Sequence, residues 1–415
     1  MAIDPEELKK QRQQRKAERA KRRRKILIRL IIACIVLVLC GVLIFLLPSR
    51  DSAPQQEATV SATEDTQEKE AFTVIHLAVG GDVNISDMAV APGSNRDGYT
   101  SMFMDVAHIL AEADLAAVNL EGNLTGAPYG SESASAPQEF VDALQDAGVD
   151  LVQLANSYSI NQGLSGLIST INNVRAAGME PVGVYENQDA YKDGKGYTIK
   201  TVQGIKIAFV AFTKGMDGMA LPAGSENCVN LLYEDYESTY QSINTDKITA
   251  VLDAAAQENP DITVAMVHWG SEYNDTVSSS QESIISLLQE NGVDAIIGTH
   301  PHYVQKMVFD EEEKTFVAYS LGDFLSAGEK AGSQYSVILD LEITKNNRTG
   351  NVELSGYSYT PIYSYAEADN SLRVLRIHEA MAAYEDTFIG CVTAEVYEDM
   401  IKSLSRIESR IAGEG

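Results

Sequence analysis

The sequence predicts a mixed α/β fold with two β-sheets in contact, set behind a single apolar span. Three observations carry this. Strand-like apolar runs alternate with helical segments through residues 72–300, the pattern of βαβ units and a parallel sheet. The later runs, 315–322, 335–344 and 352–362, follow one another with little helix between them, which suggests antiparallel pairing. Polar groups recur at the strand ends, where open α/β folds place their sites.

The chain opens with a basic segment. Residues 1–29 hold 12 Lys/Arg against 4 Asp/Glu, a balance of +8. Leu30 to Leu47 follows without a charge. Eighteen residues rise about 27 Å as a helix, close to the roughly 30 Å hydrocarbon core. With Ile26–Ile28 added, a transmembrane segment is expected over 26–47. No small-x-small cleavage signal follows Leu47, so the reading is a retained signal anchor. Residues 1–25 then stay in the cytoplasm and the main domain faces outward from the cell membrane. The basic run could also contact nucleic acid. Its place directly before an apolar span favours topology and anionic lipid. Residues 48–71, rich in Ser, Ala, Thr, Gln and Glu, predict a disordered stalk.

The main domain is expected over 72–365. Its first strand, FTVIHLAV (72–79), runs into Gly80-Gly81-Asp82. A helix over 100–113 leads to a strand at 115–119. PQEFVDALQDAG (137–148) reads as a helix closed by glycine, followed by a strand at 150–155. A further helix over 165–178 precedes MEPVGV. Runs 206–212 and 262–268 are strands of the buried type, and a helix over 280–292 precedes DAIIGTH. Residues 366–415 read as a helical extension.

Charge narrows the function. The chain carries −27, and residues 51–415 alone carry −36. Such a surface argues against nucleic acid or anionic lipid as partners of the main domain. It also disfavours polyanionic substrates, unless a metal or a local basic patch reverses the field. Cys228 and Cys391 could pair or remain two thiols; Cys34 and Cys40 lie in the span.

The strand ends read as follows: Asp82; Asn119, Glu121 and Asn123; Asn156, Ser157 and Tyr158; His268 and Glu272; His300 and His302; Asp323. His300 and His302 are two of only six histidines and stand one residue apart in IGTHPHYVQ. On a strand or in an extended turn they can point to one side, as a metal requires. A proline-stiffened turn with two exposed histidines is the bland alternative. One polar strand end means little, since Asp and Asn are ordinary caps. Six together favour a metal site. Mixed carboxylate and imidazole donors suit Mn, Fe or Zn, as one or two ions.

The series GGD, NLE, LAN, HWGSEY, GTHPHYVQ and YSLGDF, in this order from about Phe72 to Leu325, resembles the CapA family of capsule-synthesis proteins. That family is associated with poly-γ-glutamate production and has a fold similar to calcineurin-type metallophosphoesterases. The resemblance implies two stacked sheets flanked by helices, with a metal centre at the sheet edge. It implies Asp82, Glu121, His268, His300 and His302 as metal ligands. Glu272 is expected to orient His268, and Asp323 to add a carboxylate beside the site. Asn119, Asn123, Asn156 and Tyr158 are expected to face substrate.

One block departs. Where the family usually reads LANNH, this chain has Leu154-Ala155-Asn156-Ser157-Tyr158. In the phosphoesterase analogy the second Asn is a metal ligand and the His protonates the leaving group. Ser is a weak neutral ligand, and Tyr is a poor acid at neutral pH. Asp323 stands where the family usually has Asn. Two functions follow. One is a metal-dependent hydrolase of phosphoester or γ-amide bonds. The other is a non-catalytic subunit that binds an anionic capsule polymer or other membrane subunits of its synthesis.

Overall fold

The structure, a computed structural model, describes residues 71–91, 98–367, 371–386 and 392–414. The expected basic segment and span, and the stalk up to residue 70, lie outside the described residues, as does Cys391. Among the described residues no helix is long and apolar enough to cross a membrane. The described residues form one compact unit, apart from the turn at Asp310–Glu313.

The first half alternates as the sequence reads. β1 (Phe72–Asn84) is followed by a short α1 (Asp87–Val90), a 3-10 turn (Gly98–Met102) and α2 (Ala107–Glu112). Then come β2 (Leu115–Glu121), α3 (Gln138–Asp146), β3 (Leu151–Gln153), α4 (Gly163–Ala176) and β4 (Glu180–Val182). A second series holds α5 (Gln188–Gly194), β5 (Tyr197–Val202), β6 (Ile205–Thr213), α6 (Thr245–Gln257), β7 (Ile262–His268), α7 (Ser279–Glu290) and β8 (Ala295–Thr299). The strand-rich part has β9 (Met307–Asp310), β10 (Thr315–Ala318), β11 (Asp323–Leu325), β12 (Tyr335–Asn346), β13 (Val352–Ala366) and β14 (Leu372–Arg376). Two helices, α8 (Ile377–Glu385) and α9 (Ala394–Ala412), close the chain.

These strands make two sheets. The first has the order β14-β13-β12-β1-β2-β3-β4, with β11 also on β1; the second has β5-β6-β7-β8-β10-β9. β1 to β4 are parallel, while β12 to β14 join antiparallel. β6, β7, β8 and β10 run parallel to one another, and β5 joins β6 antiparallel. The second sheet is covered on both faces. On β6, Ile207, Phe209 and Ala211 belong to the main core, while Ala208, Val210 and Phe212 pack with Ile248 and Leu252 of α6 and Ile284 and Leu288 of α7. Burial on both faces is why KIAFVAF and ITVAMVH read as continuous apolar runs. Each fully buried Phe, Ile or Leu contributes about 1.5–3 kcal/mol.

Three elements differ from the sequence reading. The helix expected over 100–113 breaks, because Met102 and Phe103 are adjacent yet both buried. Phe103 stacks on Phe324 at 5.8 Å, a tertiary contact that local periodicity does not carry. The strand expected over 315–322 stops at Ala318. Trp269 Nε1 donates to Tyr319 O, and Gly322 takes a left-handed φ of +79°. The chain thereby leaves the second sheet and joins the first as β11. The tail, expected to be helical, also supplies β14.

Gly81 is needed for its size. A Cβ there would lie 1.7 Å from Gly322 O, the carbonyl that accepts the Asp82 N–H at 3.0 Å. Gly81→Ala is expected to destabilise by more than about 2 kcal/mol in denaturant unfolding, an overpacking cost. Gly356→Ala in β13, where an added Cβ meets nothing within 4 Å, is expected to cost less than about 1 kcal/mol. Equal costs at the two positions would contradict this account of the close approach.

Candidate metal centre

Strand pairing assembles the site. On the first sheet Asp82 lies opposite Asn119 and Asp323, and Asn84 opposite Glu121. On the second, His268 lies opposite Thr299, so His300 and His302 leave β8 beside it. Glu121 joins the sheets. Its Oε1 is 3.4 Å from His268 Nε2, and its Oε2 is 4.0 Å from His302 Nε2. Donor atoms of Glu121, His268 and His300 lie within 4.8 Å of one another, and those of Asp82, Glu121 and His302 do likewise. Glu121 belongs to both groups. All five side chains are buried.

The His300-Pro301-His302 turn is not extended. His300 has φ +92° and His302 φ +56°, left-handed values that non-glycine residues adopt at a cost. The turn is tied down at both ends. His300 N donates to Asp82 Oδ2 at 3.0 Å, and Tyr273 N donates to Pro301 O at 2.9 Å. The rings of His268 and His300 approach to 4.5 Å.

Burial sets the protonation. It raises Asp82 to about 6, although the charge of His302 and a hydrogen bond from Asn119 pull the other way. Burial, then the nearby Asp82 charge, holds Glu121 well above the carboxylate range. His268 and His300 are pushed well below the usual imidazole value by burial first. Both are therefore neutral lone-pair donors at neutral pH. His302 is the opposite case. Burial alone would lower it, but Asp323, Glu121 and Asp82 outweigh burial and push it to about 11.

These residues fit a divalent transition metal. His300 Nε2 is a buried nitrogen with no hydrogen-bond partner. Buried carboxylates on Asp82, Glu121 and Asp323 gather around a single protonated imidazole, and buried charge persists only when paired or metal-bound. A cation would take the place of the proton that His302 holds and would favour the carboxylate form of Glu121.

The other expected site residues fall as follows. Asp323 Oδ1 sits 2.7 Å from His302 Nδ1, which orients that ring with Nε2 toward Glu121. Glu272, expected behind His268, instead places a carboxylate oxygen with His300 and His302. The His268 Nδ1 partner is Thr299 Oγ1 at 3.1 Å. Asn119, Asn123 and Asn156, expected to face substrate, are buried and engaged by protein groups. Asn119 Nδ2 donates to Asp82 at 2.7 Å, and Asn156 Nδ2 donates to Asn119 Oδ1 and Leu120 O. Asn123 Nδ2 donates to Tyr158 O. Their amides scaffold the loops. Ser157 Oγ is 3.2 Å from His268 Nε2. Tyr158 is half-buried, and burial, then Glu121, raises its phenol above the usual value, so it stays neutral. Thr299, Lys214 and Tyr273, which stacks on His302 at 5.0 Å, were not among the expected residues. β6 runs one residue past the 206–212 run, to Thr213, so Lys214 is the residue that the same strand-end rule reaches.

Comparison with known proteins identifies the family. The family described as "Bacterial capsule synthesis protein PGA_cap" matches residues 76–327. The chain belongs to that family. It is 31% identical over 194 residues to the capsule biosynthesis protein CapA of Bacillus anthracis, covering 46% of this chain and 43% of that one. It is 26% identical over 271 residues to the PGA biosynthesis protein CapA of Bacillus subtilis strain 168, covering 63% of this chain and 66% of that one. The matches thus span less than two thirds of each relative. Among solved structures it is similar to the calcineurin-like phosphoesterase YfkN of Bacillus subtilis, at 14% identity and TM-score 0.43, covering 81% of this chain and 97% of that one.

The raised His302 value sets a pH dependence. A group whose folded pKa is raised stabilises the fold fully below its unfolded value, about 6.5 for His, and that stability is lost as pH rises toward the folded value. Glu121 acts with the same sign. His268 and His300, depressed on folding, are neutral in both states above pH 6.5 and add no slope there. Metal-free protein is expected to lose melting temperature between about pH 6.5 and 8, below the range in which Lys247, lowered to about 8 by burial, acts with the opposite sign, while protein loaded with Mn or Zn keeps it. A metal-free melting temperature that is flat over this range would contradict the charge assignment.

Proposed function

We propose that the chain is an outward-facing, membrane-anchored protein of capsule-polymer assembly, of the poly-γ-glutamate type, whose main domain acts on the polymer through a divalent metal centre. The carrying observation is the pair of donor groups that share Glu121, with the unpartnered His300 Nε2 among them. Family membership and the names of the Bacillus relatives support the capsule role. The anchor rests on the uncharged run at 30–47 and on the step from +8 before it to −36 after Arg50. Membrane subunits of polymer synthesis are the partners this reading implies.

Asp82, Glu121 and His302 would hold one ion; Glu121, His268 and His300 would hold another. Such an ion supplies Lewis acidity toward a phosphoryl or amide carbonyl group. The protein's own groups do the rest. Asp323 fixes the His302 ring, and Thr299 fixes that of His268. Tyr158 keeps its proton and offers a neutral hydroxyl donor beside Glu121.

A second reading, a polymer-binding subunit without turnover, is favoured by one observation. Ser157 and Tyr158 stand where the family usually has Asn and His, so an extra ligand and a leaving-group acid are missing. Restoring them in the full chain, as Ser157→Asn with Tyr158→His, separates the readings. General acid catalysis is typically worth about 10²–10⁴-fold. Hydrolysis of an alkyl phosphate by the metal-loaded double variant is expected to rise by that order. An activated aryl phosphate, which needs little protonation, is expected to gain much less. Brisk alkyl-ester turnover by the unmodified chain, unchanged in the variant, would show that this block is not the missing acid.

A further inference from the structure

We propose that Lys214 is the anion-binding residue of this centre, taking a substrate carboxylate that flanks the bond presented to the metal ligands. The proposal deepens the polymer reading above and rests on it for the identity of the anion.

The placement is fixed by the second sheet. Thr213, the last residue of β6, pairs with His268, the last residue of β7. Lys214 is therefore the first residue past the strand end. Its backbone N–H donates to His268 O at 2.8 Å. The side chain runs toward the HWGSEY loop, where Nζ donates to Gly270 O at 3.0 Å. The Tyr240 ring lies beside it, with Nζ 5.2 Å from the centroid. The lysine is half-buried. Burial lowers its pKa and the charges of Glu272, Asp217 and Glu121 oppose that, while Lys214 in turn acts on His268 and His300, which keeps it within electrostatic range of the centre.

Its donors are the telling feature. An ammonium has three N–H groups, and one of these is engaged by Gly270. Among the described residues no carboxylate forms an ion pair with Lys214. The other cations nearby differ. Arg410 is paired with Asp275 at 3.0 Å, and Lys330 is exposed over the Tyr273 ring. In a region, residues 51–415, with a net charge of −36, a half-buried lysine beside a cluster of carboxylates, with donors to spare, is a place where the repulsive field is locally reversed. A polyanion needs such a place. In a γ-linked glutamate chain, each amide nitrogen is bonded to a carbon that carries a free α-carboxylate. An ammonium beside the centre can hold that carboxylate while the neighbouring amide carbonyl is presented to the donor groups that would hold the ions.

The test uses the metal-loaded full chain and two probes, a γ-linked glutamate oligomer and inorganic phosphate, with binding read by calorimetry. Lys214→Met is expected to weaken both by about ten- to a hundredfold, the range of a lost charge-assisted hydrogen bond. Metal content is expected to stay unchanged, and Lys214→Arg to recover part of the loss. An oligomer with its α-carboxylates converted to amides is expected to bind Lys214→Met and unmodified protein alike. If the unmodified chain holds phosphate through Lys214 but ignores the oligomer, the polymer reading falls and the anion role stands. If Lys214→Met binds both anions as tightly as the unmodified chain, or the unmodified chain binds neither, the proposal is overturned. Loss of metal in Lys214→Met would also overturn it, since the lysine would then be acting on the centre's assembly.

Discussion

The arrangement turns on one carboxylate. Glu121 is buried at the end of β2, between imidazoles delivered by the other sheet. A carboxylate so placed is costly to ionise unless cations surround it. The groups nearest to it answer that cost in two ways. His268 and His300 are neutral and offer lone pairs; His302 is charged and is kept so by Asp323, Glu121 and Asp82. His268 and His300 thus already offer the lone pairs that a metal requires, while His302 holds a proton that a cation would displace.

Packing serves that junction. The first sheet presents Asp82, Asn119 and Glu121 in register, and the second presents His268 and Thr299 in register. Glycine also permits close packing among the segments that leave the second sheet. A Cβ on Gly298 would fall 2.0 Å from Tyr319 O and 2.5 Å from Trp269 Nε1. The left-handed Gly322 lets the chain pass from β10 in one sheet to β11 in the other, carrying Asp323 behind His302. Buried amides of Asn119 and Asn156 then link neighbouring loops, so carboxylate, imidazole and loop positions are coupled.

Much of this is legible in the sequence. Alternating runs gave the parallel halves, and the helix-poor stretch after 315 gave the antiparallel one. The strand-end rule brought out Asp82, Glu121, His268, His300, His302 and Asp323, which the fold brings to one place. What was not legible depends on tertiary contact. Nothing in HWGSEY says that Glu272 lies with His300 and His302 rather than behind His268. Thr299 becomes a site residue only through the pairing that sets it against His268. The three asparagines, expected to face substrate, are buried and bonded to neighbouring loops. The break at residues 102–103 follows from Phe103 reaching Phe324, more than two hundred positions away.

The claim that one buried carboxylate serves two donor groups is tested most directly by counting metal. The measurement is the number of tightly bound ions per chain in purified full-length protein loaded with Mn or Zn, compared with Glu121→Gln and His300→Ala. The account predicts two ions in the unmodified chain, one in His300→Ala, where the Asp82, Glu121 and His302 group survives, and none held tightly in Glu121→Gln. Glu121→Gln that still binds as many ions as the unmodified protein would contradict it.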